Sequence, residues 1–274
     1  RFNKENGNGV ARSGNTVYEG EFFDGLYSGY GKRYRKESDS AEDVMDSYTG
    51  EWLKGMYNGT GTIRYADGDM YEGSFRDHQA HGNGRFVAVD GSVYTGPFVK
   101  GKAEGEGVET FPCGDYYVGT FVGGRRNGMG TYTNAARNLK MSGYSSNGRF
   151  EGRIEIGYPS GLRISAVARN GLQFGDATLY FPDGLRVHGN LVMTDDRMIG
   201  MVRVEDIDGS VVNVDLNQVS DQEGFTITSA EFFRGVASYV KETAGLRASL
   251  LLINEAIEEA RDEKKRETTN SSMA

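Results

Sequence analysis

The chain is poor in proline, cysteine, tryptophan and histidine, with 4, 1, 1 and 3 residues of each among 274. So little proline, without glycine at every third position, excludes a collagen-like triple helix. A single cysteine, Cys113, excludes an intrachain disulfide framework and a cysteine-based zinc site, and it fits a reducing compartment. Apolar residues make up 37% of the chain against a usual share of about 45–50%, so the material for a thick aliphatic core is missing.

Excess basic charge is also missing. With 31 Lys and Arg against 39 Asp and Glu the net charge is −8, which opposes general affinity for nucleic acid or for an anionic membrane. The most apolar run, Leu250-Leu251-Leu252-Ile253, falls far short of the roughly 20 residues that span a bilayer. No signal-peptide pattern opens the sequence, although with Arg1 at its start a targeting segment removed upstream stays an open alternative.

Glycine is abundant instead, at 40 residues about twice its usual share, together with 16 Tyr and 14 Phe. That combination describes a β-rich chain whose backbone turns tightly or passes close to rings, and it argues against disorder along the whole chain.

The rings and glycines recur in register. Tyr18-Glu19-Gly20-Glu21-Phe22, Tyr48-Thr49-Gly50-Glu51-Trp52, Tyr71-Glu72-Gly73-Ser74-Phe75, Tyr94-Thr95-Gly96-Pro97-Phe98 and Tyr117-Val118-Gly119-Thr120-Phe121 share the pattern Tyr-x-Gly-x-aromatic. Gly50, Gly73, Gly96 and Gly119 are spaced by 23 residues, whereas Gly20 and Gly50 are 30 apart, which places a seven-residue insertion in the acidic stretch Glu37 to Asp46. A second motif, Gly-x-Gly, follows each first one at Gly29, Gly59, Gly82, Gly105 and Gly128, and a turn such as Asp67-Gly68, Asp90-Gly91 or Cys113-Gly114 closes the unit. The frame continues past these repeats through Gly143, Ala166, Gly189 and Val212, and through Gly152, Gly175 and Gly200, with the rings mostly gone. Gly7-Asn8-Gly9 reads as half a unit. About nine units therefore fill residues 1–215, five of them well formed at 18–133 and degenerate ones at 143–215.

On these residues the chain resembles the membrane occupation and recognition nexus (MORN) repeat proteins. The match to their Tyr-x-Gly-x-aromatic, His/Asn-Gly-x-Gly and Asp-Gly pattern is close from 18 to 133, and from 143 to 215 it is one of spacing. The resemblance implies an all-β repeat fold: an elongated stack of β-hairpins forming a twisted single-layer ribbon. Period-two alternation agrees, since it puts Tyr71, Gly73 and Phe75 on one face and Glu72 and Ser74 on the other. Arg76 to His81 are expected to turn the chain, with His81 in the turn, and Arg85 to Val89 to return it. One hairpin cannot bury a face of rings, so the units must stack, and nine of them would reach on the order of 85 Å.

Residues 216–228 read as a connector. Thr228-Ser229-Ala230-Glu231 then offers a capping box, and Phe232, Val236, Tyr239, Thr243, Leu246, Leu250, Ile253, Ile257 and Ala260 recur at steps of 4 and 3. This predicts an amphipathic helix over 229–266, which either folds back on its own sheet or pairs with another chain, a homodimer included. Residues 267–274 read as a disordered tail.

Enzymatic motifs are near misses. Gly96 to Ala103 approaches a phosphate-binding loop, but Ala103 stands where Ser or Thr must hold magnesium, and a strand and turn replace the required helix. His78 and His81 are three apart, yet Asn58 and Asn127 take the place of His81 in other units. Cys113 sits where Asp67 and Asp90 sit, with no base in a defined relation to it. Catalytic, cofactor and metal residues are therefore expected to be none.

The expectation is a non-enzymatic scaffold. Tyr18, Phe22, Tyr48, Trp52, Tyr71, Phe75, Tyr94, Phe98, Tyr117 and Phe121 would floor a groove that binds partner proteins, and the seam Phe232, Val236, Tyr239, Leu246, Leu250, Ile253 and Ile257 would give a second attachment. The resemblance further implies a cytoplasmic, cytoskeletal setting such as a ciliary or flagellar axoneme. It also carries two alternatives: a tether for phosphoinositide headgroups, through Lys32-Arg33-Tyr34-Arg35-Lys36 or Arg125-Arg126, and a regulatory module of an enzyme.

Overall fold

The structure, a computed structural model, describes residues 6–36, 44–169, 173–192 and 197–215. The connector, helix and tail expected over 216–274 lie outside the described residues, as does most of the acidic insertion. Contacts divide the chain into two compact units, residues 1–138 with 145–148 and residues 139–144 with 149–274.

In the first unit the strands are β1 (Gly7–Ser13), β2 (Thr16–Phe23), β3 (Leu26–Lys36), β4 (Val44–Leu53), β5 (Met56–Arg64), β6 (Met70–Arg76), β7 (Gln79–Val87), β8 (Val93–Val99), β9 (Lys102–Ala103), β10 (Gly105–Thr110), β11 (Tyr116–Val122) and β12 (Arg125–Asn134). Each pairs antiparallel with its chain neighbours, and β9 and β10 together form one interrupted partner of β8. The Tyr-x-Gly-x-aromatic strands are β2, β4, β6, β8 and β11.

Glycine sets the register. Gly9 pairs with Gly20, Gly20 with Gly31, Gly31 with Gly50, Gly50 with Gly61, Gly61 with Gly73, Gly73 with Gly84 and Gly84 with Gly96. Gly107, Gly119 and Gly130 continue the same rank. A rank of bare backbone thus crosses the strands, and large rings can lie flat on it.

The two glycines of Gly-x-Gly do different jobs. In the hairpin β4–β5, Gly50 pairs with Gly61 and Trp52 with Tyr57, so the three residues Asn58-Gly59-Thr60 face the single residue Glu51. This bulge needs a left-handed backbone, which Gly59 supplies at φ +71°. Gly61, two residues on, is needed because it lies under a ring.

The hairpin turns are tighter than the sequence led us to expect. Arg76 pairs with Gln79, leaving Asp77 and His78 as a two-residue turn with φ of +49° and +67°. Two left-handed residues make the mirror-image turn whose twist matches that of paired strands. His81 is therefore not a turn residue: it lies in β7, half-buried, at the first position of the bulge, and the returning strand starts at Gln79 rather than Arg85.

The second unit holds the first six residues of β13 (Leu139–Ser146), then β14 (Arg149–Gly157), β15 (Arg163–Arg169), β16 (Gln173–Tyr180), β17 (Arg186–Val192), β18 (Arg197–Glu205) and β19 (Val211–Asp215). From β14 to β19 each strand again pairs antiparallel with the next. Gly143, Ala166, Gly189 and Val212 fall in β13, β15, β17 and β19. The buried face here is aliphatic, built from Ile154, Ile156, Ile164, Leu179, Val187, Val202 and Val204.

Candidate interaction surface

The ten rings expected to floor a groove are brought together in one column. Starting from Phe22, neighbours meet edge to face in the order Tyr18, Trp52, Tyr48, Phe75, Tyr71, Phe98, Tyr94, Phe121 and Tyr117, at centroid distances of 4.8 to 5.6 Å. Edge-to-face contact matches the positive rim of one ring to the negative face of the next, worth roughly 0.5–1.5 kcal/mol per pair beyond area burial. None of the ten is more than 8% exposed. The rings thus form the core of the first unit, for a simple reason: a sheet without aliphatic bulk uses its rings to cover itself.

Four of the five tyrosines in the column also tie down the bulge beside them. The hydroxyls of Tyr18, Tyr48, Tyr71 and Tyr94 donate to the carbonyl oxygens of Glu21, Glu51, Ser74 and Pro97 at 2.8, 2.8, 2.9 and 3.2 Å. The Glu51 carboxylate accepts the N–H of Thr60 across the same bulge at 2.9 Å, and that of Glu21 accepts the N–H of Tyr30 at 3.0 Å. Bulging opens a carbonyl and an N–H, and in the first two hairpins the tyrosine hydroxyl and the glutamate carboxylate partner them. Hydrogen bonds from Thr60 hold the Glu51 carboxyl below the usual carboxylate range, while burial pushes the Tyr18, Tyr71 and Tyr94 phenols up to about 12. Trp52 adds a further tie, its Nε1 donating to Gly31 O at 3.0 Å.

Two rings that the repeat pattern does not predict complete the packing. Tyr27 stacks on Tyr18 and Tyr57 on Tyr48, with centroids 3.7 and 3.8 Å apart. In later hairpins Ala80, Ala103 and Arg126 take this place, so no periodic signal marks it. Arg126 lies over the Tyr117 ring at 4.7 Å and pairs with Glu109 at 2.7 Å.

The basic run Lys32 to Lys36 is divided by the pleat. Arg33 donates to the Tyr57 hydroxyl and Arg35 pairs with Asp46 at 3.1 Å on one face. On the other, Lys32 and Lys36 stand over the Tyr34 ring at 5.1 and 5.9 Å. The charges that looked like one cluster therefore have separate internal partners.

Several large apolar side chains stay exposed on the first two hairpins. Phe23 and Leu26 pair across the first turn at 70% and 47% exposure, Leu53 stands at 51% beside the second turn, and Tyr30 is 60% exposed. The other candidates stay dispersed. Gly96 to Ala103 is β8, a turn and β9, with no helix. Cys113 is exposed at a corner. Among the described residues no three His, Cys, Asp or Glu converge as metal ligands, and no helix is long and apolar enough to cross a membrane.

A column of interlocked rings over paired glycines, repeated hairpin after hairpin, defines a β-hairpin repeat protein whose units are stabilised by their neighbours. Residues 18–39, 48–70, 71–93, 94–116 and 117–135 match the MORN repeat family. The chain thus carries five MORN repeats, and such repeats are an interaction module for proteins or lipids. Among curated proteins it is similar to alsin of Rattus norvegicus, 40% identical over 76 residues, and to alsin of Homo sapiens, 38% identical over 76 residues. Those matches take in 27% of this chain and only 4% of alsin. Among solved structures, a CPAP G-box domain aligns over 76% of this chain and 98% of its own, at 13% identity and TM-score 0.42. The SAS-4 TCP domain of Drosophila melanogaster, in complex with a proline-rich motif of Ana2, aligns over 57% and 83% at 11% identity and TM-score 0.37. At such scores these likenesses say nothing of function.

Proposed function

We infer that the chain is a non-enzymatic scaffold that holds partner proteins within a cytoplasmic, cytoskeletal assembly, a ciliary or flagellar axoneme being the leading setting. The observation that supports the protein-binding part is the cluster Phe23, Leu26, Tyr30 and Leu53. Large apolar side chains left about half exposed or more on neighbouring hairpins are the usual mark of a protein contact, and aromatic residues dominate the energy of such contacts. The setting rests on family resemblance alone. A phosphoinositide tether is disfavoured because the basic run is split between faces and internally partnered.

The test is fractionation of cells with detergent. The full chain should stay in the insoluble cytoskeletal fraction, and a variant carrying Phe23→Ser and Leu53→Ser should move to the soluble one with its melting temperature little changed. A wild-type chain that is wholly soluble would overturn the scaffold reading. Co-sedimentation with phosphoinositide vesicles at physiological salt would favour the tether instead.

A further inference from the structure

The second unit presents a face more completely buried than a single layer of strands can achieve. Ile156 pairs with Ile164, Ile164 with Leu179, Leu179 with Val187, Val187 with Val204 and Val204 with Val212. These six aliphatic residues form an unbroken rank across six strands, the first four at 0% exposure, Val204 at 1% and Val212 at 8%. Beside it runs a trough of small side chains, Ala166 paired with Ala177 and Ala177 with Gly189. Ala166 and Ala177 are at most 2% exposed.

In the first unit, flat rings cover the backbone and one another. Short aliphatic side chains cannot do this, because they stand up from the sheet and leave their tips bare unless a second layer lies on them. The described residues of the second unit are strands and the turns between them. The chain that follows β19 carries the seam Phe232, Val236, Tyr239, Leu246, Leu250, Ile253 and Ile257.

We propose that this seam is the second layer: residues 232–257 dock on the aliphatic face of β14–β19 of the same chain. Dimensions agree. A helix over these 26 residues is about 39 Å long, against roughly 24 Å from β14 to β19. The 13 residues 216–228 extend to about 45 Å, enough to reach either edge of the sheet. The trough of Ala166, Ala177 and Gly189 admits a helix close to the strands, with the six-residue rank as its wall. Of the two roles the sequence leaves open for the seam, folding back on its own sheet or pairing with another chain, this is the first.

Amide hydrogen exchange on the full-length chain tests this. With Leu250→Asp and Ile257→Asp, exchange of amides in 163–168 and 185–189 should accelerate at least about tenfold, while 71–133 stay as in the wild type. Wild-type protection should be unchanged over roughly a hundredfold dilution, because a face covered by its own chain is insensitive to concentration. Unchanged exchange in the second unit of the variant would overturn the proposal. Wild-type protection that falls on dilution would overturn it in favour of a second copy. Where the aspartates prevent folding, Leu250→Ala with Ile257→Ala replaces them, and acceleration spread equally over both units in that pair also counts against it.

Discussion

The rings of Tyr48 and Phe75 meet edge to face with centroids 5.1 Å apart, although they belong to successive hairpins. Through that contact the β4–β5 unit is joined to β6–β7, and its equivalents join each neighbouring pair from β2 to β11. Replacing Phe75 by Ala removes one link from the column and leaves a cavity beside Tyr48. We expect a loss of about 3–5 kcal/mol in urea denaturation, together with faster amide exchange in β4 to β7 than in the rest of the first unit.

Two glycines separate space from backbone strain. A methyl group at Gly61 would stand 2.5 to 2.7 Å from atoms of the Tyr48 ring, whereas at Gly55, which has φ +84°, it would meet nothing within 4 Å. Gly55→Ala should therefore cost only the left-handed backbone, about 1–2 kcal/mol. Gly61→Ala displaces a core ring and should cost about 3 kcal/mol or more. Equal shifts of the melting temperature in the two variants would contradict the assignment of ring packing to Gly61.

Alkaline pH should loosen the first unit. Tyr18, Tyr71 and Tyr94 have phenols raised from 10.0 to about 12 by burial. The unfolded chain loses these protons near pH 10 and the folded chain keeps them, so their contribution is complete below pH 10 and is lost as pH rises toward 12. Tyrosinate absorbance should then appear together with unfolding, and a gradual titration on an intact fold would contradict it.

Acid acts at a corner. Asp115 accepts from the Tyr132 hydroxyl, from Ala135 N at 2.9 Å and from Asn134 Nδ2 at 3.1 Å, and these bonds, Tyr132 first, hold its carboxyl below the usual range. Its stabilising effect is present above the unfolded value near 3.8 and is lost as pH falls through the lower folded value. Asp115→Asn should be less stable than wild type at neutral pH, and the gap should narrow on acidification below about pH 4, as read by thermal melts across pH.

His78 joins turn and neighbour. Its Nδ1 accepts from Tyr57 N at 3.3 Å, its ring meets that of Tyr57 at 4.6 Å, and burial with the nearby Arg33 pushes its pKa down. Protonation below about pH 6.5 is thus resisted by the fold, so the contact weakens as pH falls. The His78 ring-proton resonances should titrate below the value of an exposed imidazole, and a normal value would contradict the contact.

The period of 23 residues and the alternation of Tyr, Gly and aromatic were enough to read the strands β2, β4, β6, β8 and β11, because spacing and side-chain face are properties of the chain itself. The same sequence hid what happens between strands. His81 is expected in a turn, yet it opens a bulge opposite Ser74, because a bulge is defined by the partner strand and not by its own residues. Tyr27 and Tyr57 went unseen for a related reason: they stack on rings of the paired strand, at a position the period does not conserve in type.

The amino-acid sequence by itself determined the repeat, its register of glycines and the face on which the rings lie, since these follow from local periodicity and from the space a missing Cβ leaves. Only the tertiary structure decided how the rings pack. Once Tyr18 to Phe121 interlock, their surface is consumed in holding hairpins together, whereas side chains such as Phe23, Leu26, Tyr30 and Leu53, which the pleat turns the other way, stay exposed. Burial is a property of neighbours in space, and the chain does not write it in its own order.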